Sequence, residues 1–313
     1  MPTKATYLVA FAVILPFGGA LFSQPLASSR ANDDRVAPER VVMMTATLRT
    51  MFSVAWVVVV PVAGWIAGAR SVFDVFTFAA IGHLGCAAVS AFLRLRPDTR
   101  VPPAPRPREA GPRRSVWKLI GRRKLVGLAG VLSIRTAIML RLTLLPLAMI
   151  NDYHGGYGDV GLTAALAAGL EVPLMLVWGY LAGRVSREKV MILNAAIYAG
   201  YLASLVFARS PRDVLWLQIP NAVATAALLG LTISYVQDSI KGQVGLSTSI
   251  VDVMTVLATT LAAGGFRLFS GEASYLTGFV AAAGSSLLGA ALLWGSEREP
   301  GAPGWNAPPG LRE

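Results

Sequence analysis

Long apolar runs recur along this chain of 313 residues, and they constrain its fold more than any other feature of the sequence. A helix that crosses a membrane needs about 20 mostly apolar residues. Nine stretches of roughly that length are bounded by charges or by clusters of Gly and Pro: 7–26, 44–68, 72–93, 125–150, 160–183, 190–207, 213–236, 244–265 and 274–295. The sequence therefore predicts an all-α, polytopic membrane protein with about nine transmembrane helices.

The composition is that of a chain surrounded by lipid rather than by water. Hydrophobic residues make up 54% of the sequence and charged residues 14%, whereas a soluble domain carries about 25% charged residues. This balance excludes a disordered chain, a coiled coil and a soluble nucleic-acid-binding module. The single cysteine, Cys86, excludes a disulfide framework, and with His83 and His154 it gives no metal-ligand spacing and no nucleophile triad. We predict no metal, no cofactor and no enzymatic activity.

One basic segment, 94–124, dominates the charge of the chain. It holds eleven Lys and Arg residues against two acidic ones, which is +9 of the formal +11. Its six prolines indicate an extended linker, and retention of basic loops on the cytoplasmic side accounts for it without a nucleic-acid partner. Loops on that side then hold 20 basic residues against 5 opposite. This predicts an N-terminus outside the cell and a cytoplasmic C-terminus.

The first apolar run, 7–26, admits two interpretations, because an outside N-terminus without a cleavable signal is unusual. The run can itself be a signal peptide, with Lys4 as its charged region and a cleavage point near Pro25–Ser28. Alternatively, the chain lacks an odd number of helices that would precede residue 7.

A motif between the fifth and sixth runs is the most specific pattern in the sequence. The segment Gly179-Tyr-Leu-Ala-Gly-Arg184-Val-Ser-Arg187-Glu-Lys189 resembles the Gly-x-Leu-Ala-Asp-Arg-x-Gly-Arg-Arg/Lys loop of the major facilitator superfamily. Glycine permits a tight cytoplasmic turn, and the basic residues can dock on helix ends. Gly183 replaces the Asp of the family, which removes one charge partner. The resemblance implies a cytoplasmic gating loop that contains Gly179, Arg184, Arg187 and Lys189.

Four further segments are similar to bacterial sugar efflux transporters: 53–57, 168–173, 217–222 and 235–245. On the twelve-helix plan of that family, the first run resembles helix four and the basic segment resembles the link between two six-helix halves. The first three helices are then missing, through a late start codon or a true truncation. The resemblance implies four regions: an incomplete bundle of three helices (1–93), a basic linker (94–124), a six-helix bundle (125–296) and a cytoplasmic tail (297–313).

Ionisable residues inside the predicted spans are candidates for a transport site. Glu171 lies about 11 residues, or roughly 16 Å, from the outer end of its span, close to the membrane midplane, and Pro173 can interrupt the helix there. Arg135 reaches a similar depth, so we expect an ion pair with Glu171. That pair either satisfies two buried charges or includes a carboxylate that exchanges protons. Arg141 lies on another face of the same helix and can extend towards the membrane surface.

The remaining candidates are polar residues in the second half of the chain. Asp252 can pair with an arginine or join a proton relay, while Gln218 and Asn221 share a helical face and can bind sugar hydroxyls or join helices. Gln237 and Asp238 lie at the cytoplasmic end of a span, where we expect a role in gating.

These residues and the resemblance together predict a secondary active transporter in a bacterial inner membrane. It would export sugars or sugar-like solutes by alternating access, with protons as the coupling ion. One alternative is a multidrug exporter of the same superfamily, and another is a truncated protein or partner subunit that does not transport. The expected partners are a small solute, protons and the lipid bilayer, and the sequence indicates no oligomeric state.

Overall fold

All regular structure in the described part of the chain is helical. The computed structural model describes residues 41–96, 121–182, 184–239, 244–269 and 275–297. They form nine helices: α1 (Val41–Ala69), α2 (Val72–Leu95), α3 (Arg122–Asn151), α4 (Tyr157–Ala182), α5 (Arg187–Leu205), α6 (Pro211–Trp216), α7 (Gln218–Ser239), α8 (Val244–Phe269) and α9 (Leu276–Glu297). The predicted all-α class is confirmed for these residues.

Six helical stretches in the described residues are long and apolar enough to cross a membrane. They are Val72–Leu93, Arg122–Asn151, Tyr157–Trp178, Pro211–Thr232, Ile250–Phe269 and Leu276–Glu297. Each coincides with a predicted run, so the chain is a polytopic helical membrane protein. The run 7–26 lies outside the described residues, and the predicted count of nine spans stays a prediction.

The run predicted at 213–236 is interrupted near its start. Ser210 caps the short helix α6, because its hydroxyl accepts a hydrogen bond from the backbone of Asp213 while the Asp213 carboxylate accepts one from the backbone of Ser210. Pro211 occupies the first helical turn, where a missing N–H costs nothing. A new helix, α7, begins at Gln218. The capping box therefore starts this pair of helices, and Gln218 lies at their junction.

The described helices divide into two compact units. The first contains residues 41–55 and 76–96, and the second contains residues 56–75 together with α3 to α9. Buried apolar side chains of the second unit come mainly from α3, α5, α7 and α9, with Tyr198, Leu144 and Phe279 among the largest. The predicted boundaries at 93, 124 and 296 stay a prediction.

Small residues allow the helices of the second unit to approach closely, as is usual between membrane-spanning helices. Gly130 of α3 faces Gly289 of α9, and a Cβ added to Gly289 would lie 2.6 Å from the carbonyl oxygen of Gly130. One turn away, the Ser133 hydroxyl donates to the Ser285 carbonyl at 2.7 Å, and the Ser285 hydroxyl donates back to the Ser133 carbonyl at 2.9 Å. These contacts fix the rotation of α3, which carries both candidate arginines.

Candidate functional site

A cluster of polar side chains lies inside the second unit where α3, α4, α5 and α7 meet. We call it the Glu171 cluster; its members are Glu171, Arg141, Tyr198, Tyr201, Gln218, Asn221 and Thr225. Except for Glu171, which is partly buried, each of these residues is buried. Because buried polar groups in a membrane protein are costly, such a cluster is a candidate functional site.

Glu171 is the acidic member of this cluster. Its carboxylate accepts a hydrogen bond of 2.5 Å from the Thr225 hydroxyl on α7. The guanidinium of Arg141 and the hydroxyl of Tyr198 lie within electrostatic range of it. Pro173 lies inside the same helix, two residues further along, and contributes no N–H to its hydrogen-bond ladder.

Arg141 is the cation of the cluster. It is 8% exposed, and its Nε approaches the Tyr198 hydroxyl at a long 3.5 Å. Tyr201 also lies within electrostatic range of its guanidinium. The sequence interpretation in which Arg141 extends towards the membrane surface is therefore wrong. Packing of α3 turns this side chain inward, where neighbouring tyrosines and a carboxylate surround it.

Gln218 and Asn221 share a helical face, as predicted, and they bind each other. The Asn221 amide donates to Gln218 Oε1 at 2.9 Å, and the Gln218 amide donates to the backbone carbonyl of Val214 at 2.9 Å. Both side chains are fully buried. The Asn221 carbonyl Oδ1 is left without a hydrogen-bond partner among the described residues, whereas the Tyr201 hydroxyl lies next to the Gln218 side chain. The Asn221 Oδ1 atom is free to bind a hydroxylated molecule if the helices separate.

Arg135 belongs to a second polar cluster, between α3 and α8. One of its terminal nitrogens donates to the Thr255 hydroxyl at 2.8 Å, and Asp252 lies within electrostatic range. The expected ion pair between Arg135 and Glu171 is not formed within the described residues, so that prediction is wrong. The reason is geometric: six residues separate Arg135 from Arg141, or about 240° around α3, and it is Arg141 that faces α4.

A cavity of about 280 Å³ lies beside this second cluster, one turn further along α3 and α8. Its lining is Met139, Leu142, Thr143, Thr259, Ala262, Ala263 and Phe266. Two hydroxyls interrupt an otherwise apolar wall. A cavity of this kind suits a small, mainly apolar group better than a bare sugar.

The predicted gating residues lie at the end of α4, in the following loop, in the first turn of α5 and at the end of α7. The guanidinium of Arg184 lies 4.3 Å from the centre of the Tyr180 ring, which is a cation–π contact. Arg187 begins α5 and Lys189 is in its first turn, while Gly179 is in α4. The side chains of Gln237 and Asp238 lie outside the described residues. The gating role of all six residues stays a prediction.

Sequence reasoning missed four residues that complete the two clusters: Tyr198, Tyr201 and Thr225 in the Glu171 cluster, and Thr255 in the second cluster. Thr225 follows Gln218 and Asn221 at the spacing of one helical face, so the spacing could have revealed it. The two tyrosines lie three apart on an apolar helix, and no sequence pattern shows which helix they face. Among the described residues, no group of three His, Cys, Asp or Glu side chains is placed to bind a metal ion.

Comparisons with known proteins identify relatives of this chain. The sequence profile of the Major Facilitator Superfamily matches residues 3–217 and residues 127–310. The chain is 30% identical over 235 residues to Sugar efflux transporter B of Salmonella typhimurium and 29% identical over 234 residues to Sugar efflux transporter C of Escherichia coli. Both matches cover 75% of this chain and 58% of the relative.

A third relative is matched over more of its length. Sugar efflux transporter A of Dickeya chrysanthemi is 28% identical over 282 residues, which is 89% of this chain and 69% of the relative. The chain thus spans 58% of the length of the first two relatives. No solved structure is a significant match. The profile covers most of the chain in two overlapping matches, and the chain therefore belongs to the major facilitator superfamily.

Proposed function

We propose that this protein is a secondary active transporter that exports sugars or sugar-like solutes by alternating access, coupled to protons. The Glu171 cluster is the observation that carries the proposal. It combines a carboxylate, a cation and the unpaired Asn221 Oδ1 on three helices long enough to span a membrane. The names of the three relatives support sugars as the substrate class and transport rather than catalysis as the activity.

Sugar binding in this proposal uses neutral groups. The Asn221 Oδ1 atom accepts a hydrogen bond from a sugar hydroxyl, and the Tyr201 hydroxyl exchanges its contact with Gln218 for a bond with another. Because both atoms are buried here, binding requires the surrounding helices to open. A sugar that satisfies them stabilises the open arrangement, which is how a substrate shifts a conformational equilibrium.

Proton coupling in this proposal uses Glu171. While the carboxylate is ionised, Arg141 attracts it and holds α4 against α3. Protonation removes that attraction, so the two helices separate more easily. Proton entry and sugar exit would then alternate at one site near the membrane midplane. The proposal also places the protein in the bacterial inner membrane, with its N-terminus outside the cell and its C-terminus in the cytoplasm. The distribution of Lys and Arg between the loops supports this orientation.

A multidrug exporter is the second candidate function, and the cavity between α3 and α8 favours it. Met139, Leu142 and Phe266 give the cavity an apolar wall, and the charged groups of Arg135 and Asp252 lie one turn away. An amphiphilic molecule with a charged group would satisfy both regions at once. Transport of such molecules without competition by sugars would favour this candidate.

The test uses the purified chain in proteoliposomes. Labelled mono- and disaccharides are offered with and without an imposed pH gradient. We expect gradient-driven accumulation by the wild type, and Glu171→Gln should abolish it while leaving passive exchange of the sugar. Asp159→Asn is the matched control, since it makes the same chemical change in the first turn of α4 and keeps an acceptor for the Gly156 N–H. Wild-type accumulation by Glu171→Gln would overturn proton coupling at this residue, and failure of the wild type to move any sugar would overturn the substrate class.

A further inference from the structure

The Thr225 hydroxyl has two acceptors within reach but only one hydrogen to give. Its Oγ1 atom lies 2.5 Å from Glu171 Oε1 and 2.8 Å from the backbone carbonyl oxygen of Asn221. A hydroxyl donates one hydrogen bond and accepts others through its lone pairs. The direction of the bonds at Thr225 therefore depends on whether Glu171 carries a proton.

With Glu171 ionised, the carboxylate can only accept hydrogen bonds. The hydrogen of Thr225 then points to Glu171. The Asn221 carbonyl loses the hydroxyl but keeps the backbone N–H that an α-helix supplies four residues later. The Thr225 hydroxyl, Glu171 Oε1 and the Asn221 backbone carbonyl each keep a hydrogen-bond partner in this state.

With Glu171 protonated, the two bonds run the other way. The acid O–H of Glu171 donates to Thr225 Oγ1, and the Thr225 hydroxyl turns to donate to the Asn221 carbonyl. Only hydrogen atoms move between the two states, and in both the Thr225 hydroxyl, the Glu171 oxygen bonded to it and the Asn221 backbone carbonyl keep a partner. This matters because an unpaired buried polar group costs more free energy than a hydrogen bond contributes.

We propose that Thr225 is a positioning residue that reverses its hydrogen bond with Glu171, as a donor to the carboxylate and as an acceptor from the acid. The reversal lets Glu171 take up and release a proton without rearrangement of the closed bundle. The inference rests on the proposed function, in which Glu171 carries the coupled proton.

Other groups near Glu171 do not replace Thr225 in this role. Arg141 faces Glu171 from α3 and Tyr198 faces it from α5, but neither is within hydrogen-bond distance of the carboxylate. Tyr201 and Gln218 belong to the same cluster but make no hydrogen bond with the Glu171 carboxylate. From α1, a side-chain methyl of Val57 approaches α4 at Gly169. Among the described residues, Thr225 is the hydrogen-bond partner of the Glu171 side chain.

The chain contains a natural comparison in Thr255. Its hydroxyl has the same bond to the carbonyl four residues earlier, to Val251 at 2.8 Å, and it also contacts a charged side chain, Arg135, at 2.8 Å. A guanidinium donates only and does not lose its proton. The Thr255 hydrogen is therefore always directed to Val251, and its bonds have a single direction.

The test measures the pH dependence of sugar exchange in proteoliposomes with the same pH on both sides. Thr225→Val removes the hydroxyl at nearly constant volume, Thr225→Ala removes it with less bulk, and Thr225→Ser keeps it. The bond to an ionised carboxylate is stronger than the bond from a neutral acid, so its loss favours the protonated form. We expect the midpoint of the exchange profile to rise by about one pH unit, a tenfold change in proton affinity, in both hydroxyl-free variants.

Two comparisons isolate the hydroxyl reversal. Thr225→Ser should keep the wild-type midpoint, and Thr255→Val should keep it too, whatever its rate. Wild-type midpoints in Thr225→Val and Thr225→Ala would overturn the inference. If sugar exchange by Glu171→Gln has the same pH dependence as the wild type, the proposed function itself fails. If Glu171→Gln loses the pH dependence of exchange while the Thr225 variants keep the wild-type midpoint, only the role of Thr225 fails.

A spectroscopic measurement covers the case in which the hydroxyl-free variants do not fold. Infrared difference spectra of the wild type over the same pH range contain the carbonyl band of protonated Glu171, identified by its absence in Glu171→Gln. We expect this band at the frequency of a hydrogen-bonded acid, and Thr225→Ser should keep it there. A band at the frequency of a free acid would overturn the inference.

Discussion

The close contact between α3 and α9 leads to a prediction about stability with a control on the same helix. A Cβ added to Gly289 would lie 2.6 Å from the Gly130 carbonyl oxygen and 2.5 Å from Ile134 Cγ1, whereas ordinary contacts begin at 3.4 Å. A backbone oxygen cannot turn aside as a side chain can. The Gly289→Ala substitution must therefore move α3 and α9 apart by about 0.8 Å. Gly284, also in α9, has no atom within 4 Å of the same added Cβ.

The expected magnitude follows from two opposing effects. A gap of this size removes about a quarter to a half of the dispersion energy of each contact it opens, and overpacking of a tight core costs about 1–3 kcal/mol. Alanine also improves helix propensity over glycine by about 0.8–1.0 kcal/mol, but it does so at both positions. The difference between Gly289→Ala and Gly284→Ala therefore isolates the steric effect. We expect Gly289→Ala to be about 1–3 kcal/mol less stable than Gly284→Ala.

Unfolding in detergent, followed by the fluorescence of the seven tryptophans, measures this difference. Gradient-driven sugar uptake gives a second readout, because α3 carries both Arg135 and Arg141 and its displacement moves both polar clusters. Gly289→Ala should therefore reduce uptake and Gly284→Ala should not. Equal stability of the two variants would refute the argument that close approach of the glycines fixes α3.

Two further predictions concern buried polar groups. The Tyr153 hydroxyl donates to the Leu205 carbonyl at 2.7 Å, so Tyr153→Phe should lower stability by about 1 kcal/mol. Burial raises the pKa of Tyr153, so the wild type should lose stability as the pH rises above the ordinary tyrosine value of about 10. The free energy of unfolding, measured by denaturation at several pH values, should fall less at alkaline pH in Tyr153→Phe than in the wild type. The Arg141→Met substitution should destabilise by about 1–3 kcal/mol because it leaves the buried Tyr198 hydroxyl without its partner and removes the cation that attracts Glu171. Adding Glu171→Gln should restore more than about 1 kcal/mol of this loss, and strict additivity of the two changes in a double-mutant cycle would show that the two charges are not coupled.

The membrane-spanning helices could be predicted from the sequence because their causes are local. In a lipid environment each backbone N–H and C=O must be bonded within the helix, so an apolar run of about 20 residues has one stable conformation. The shared face of Gln218 and Asn221 followed from helical spacing in the same way. The break before Gln218 was also encoded locally, by the capping box of Ser210 and Asp213, although the apolar pattern obscured it.

The partners of the charged residues were decided by tertiary structure. Spacing gives the angle between Arg135 and Arg141 around α3, but it does not give the rotation of that helix in the bundle. Contacts of Gly130 with Gly289, far apart in sequence, fix the rotation and direct Arg141 towards Glu171 and Arg135 towards Thr255. The sequence by itself determined which helices form and which residues share a face. Only packing between helices, which depends on side-chain shape across long sequence separations, determined which faces meet.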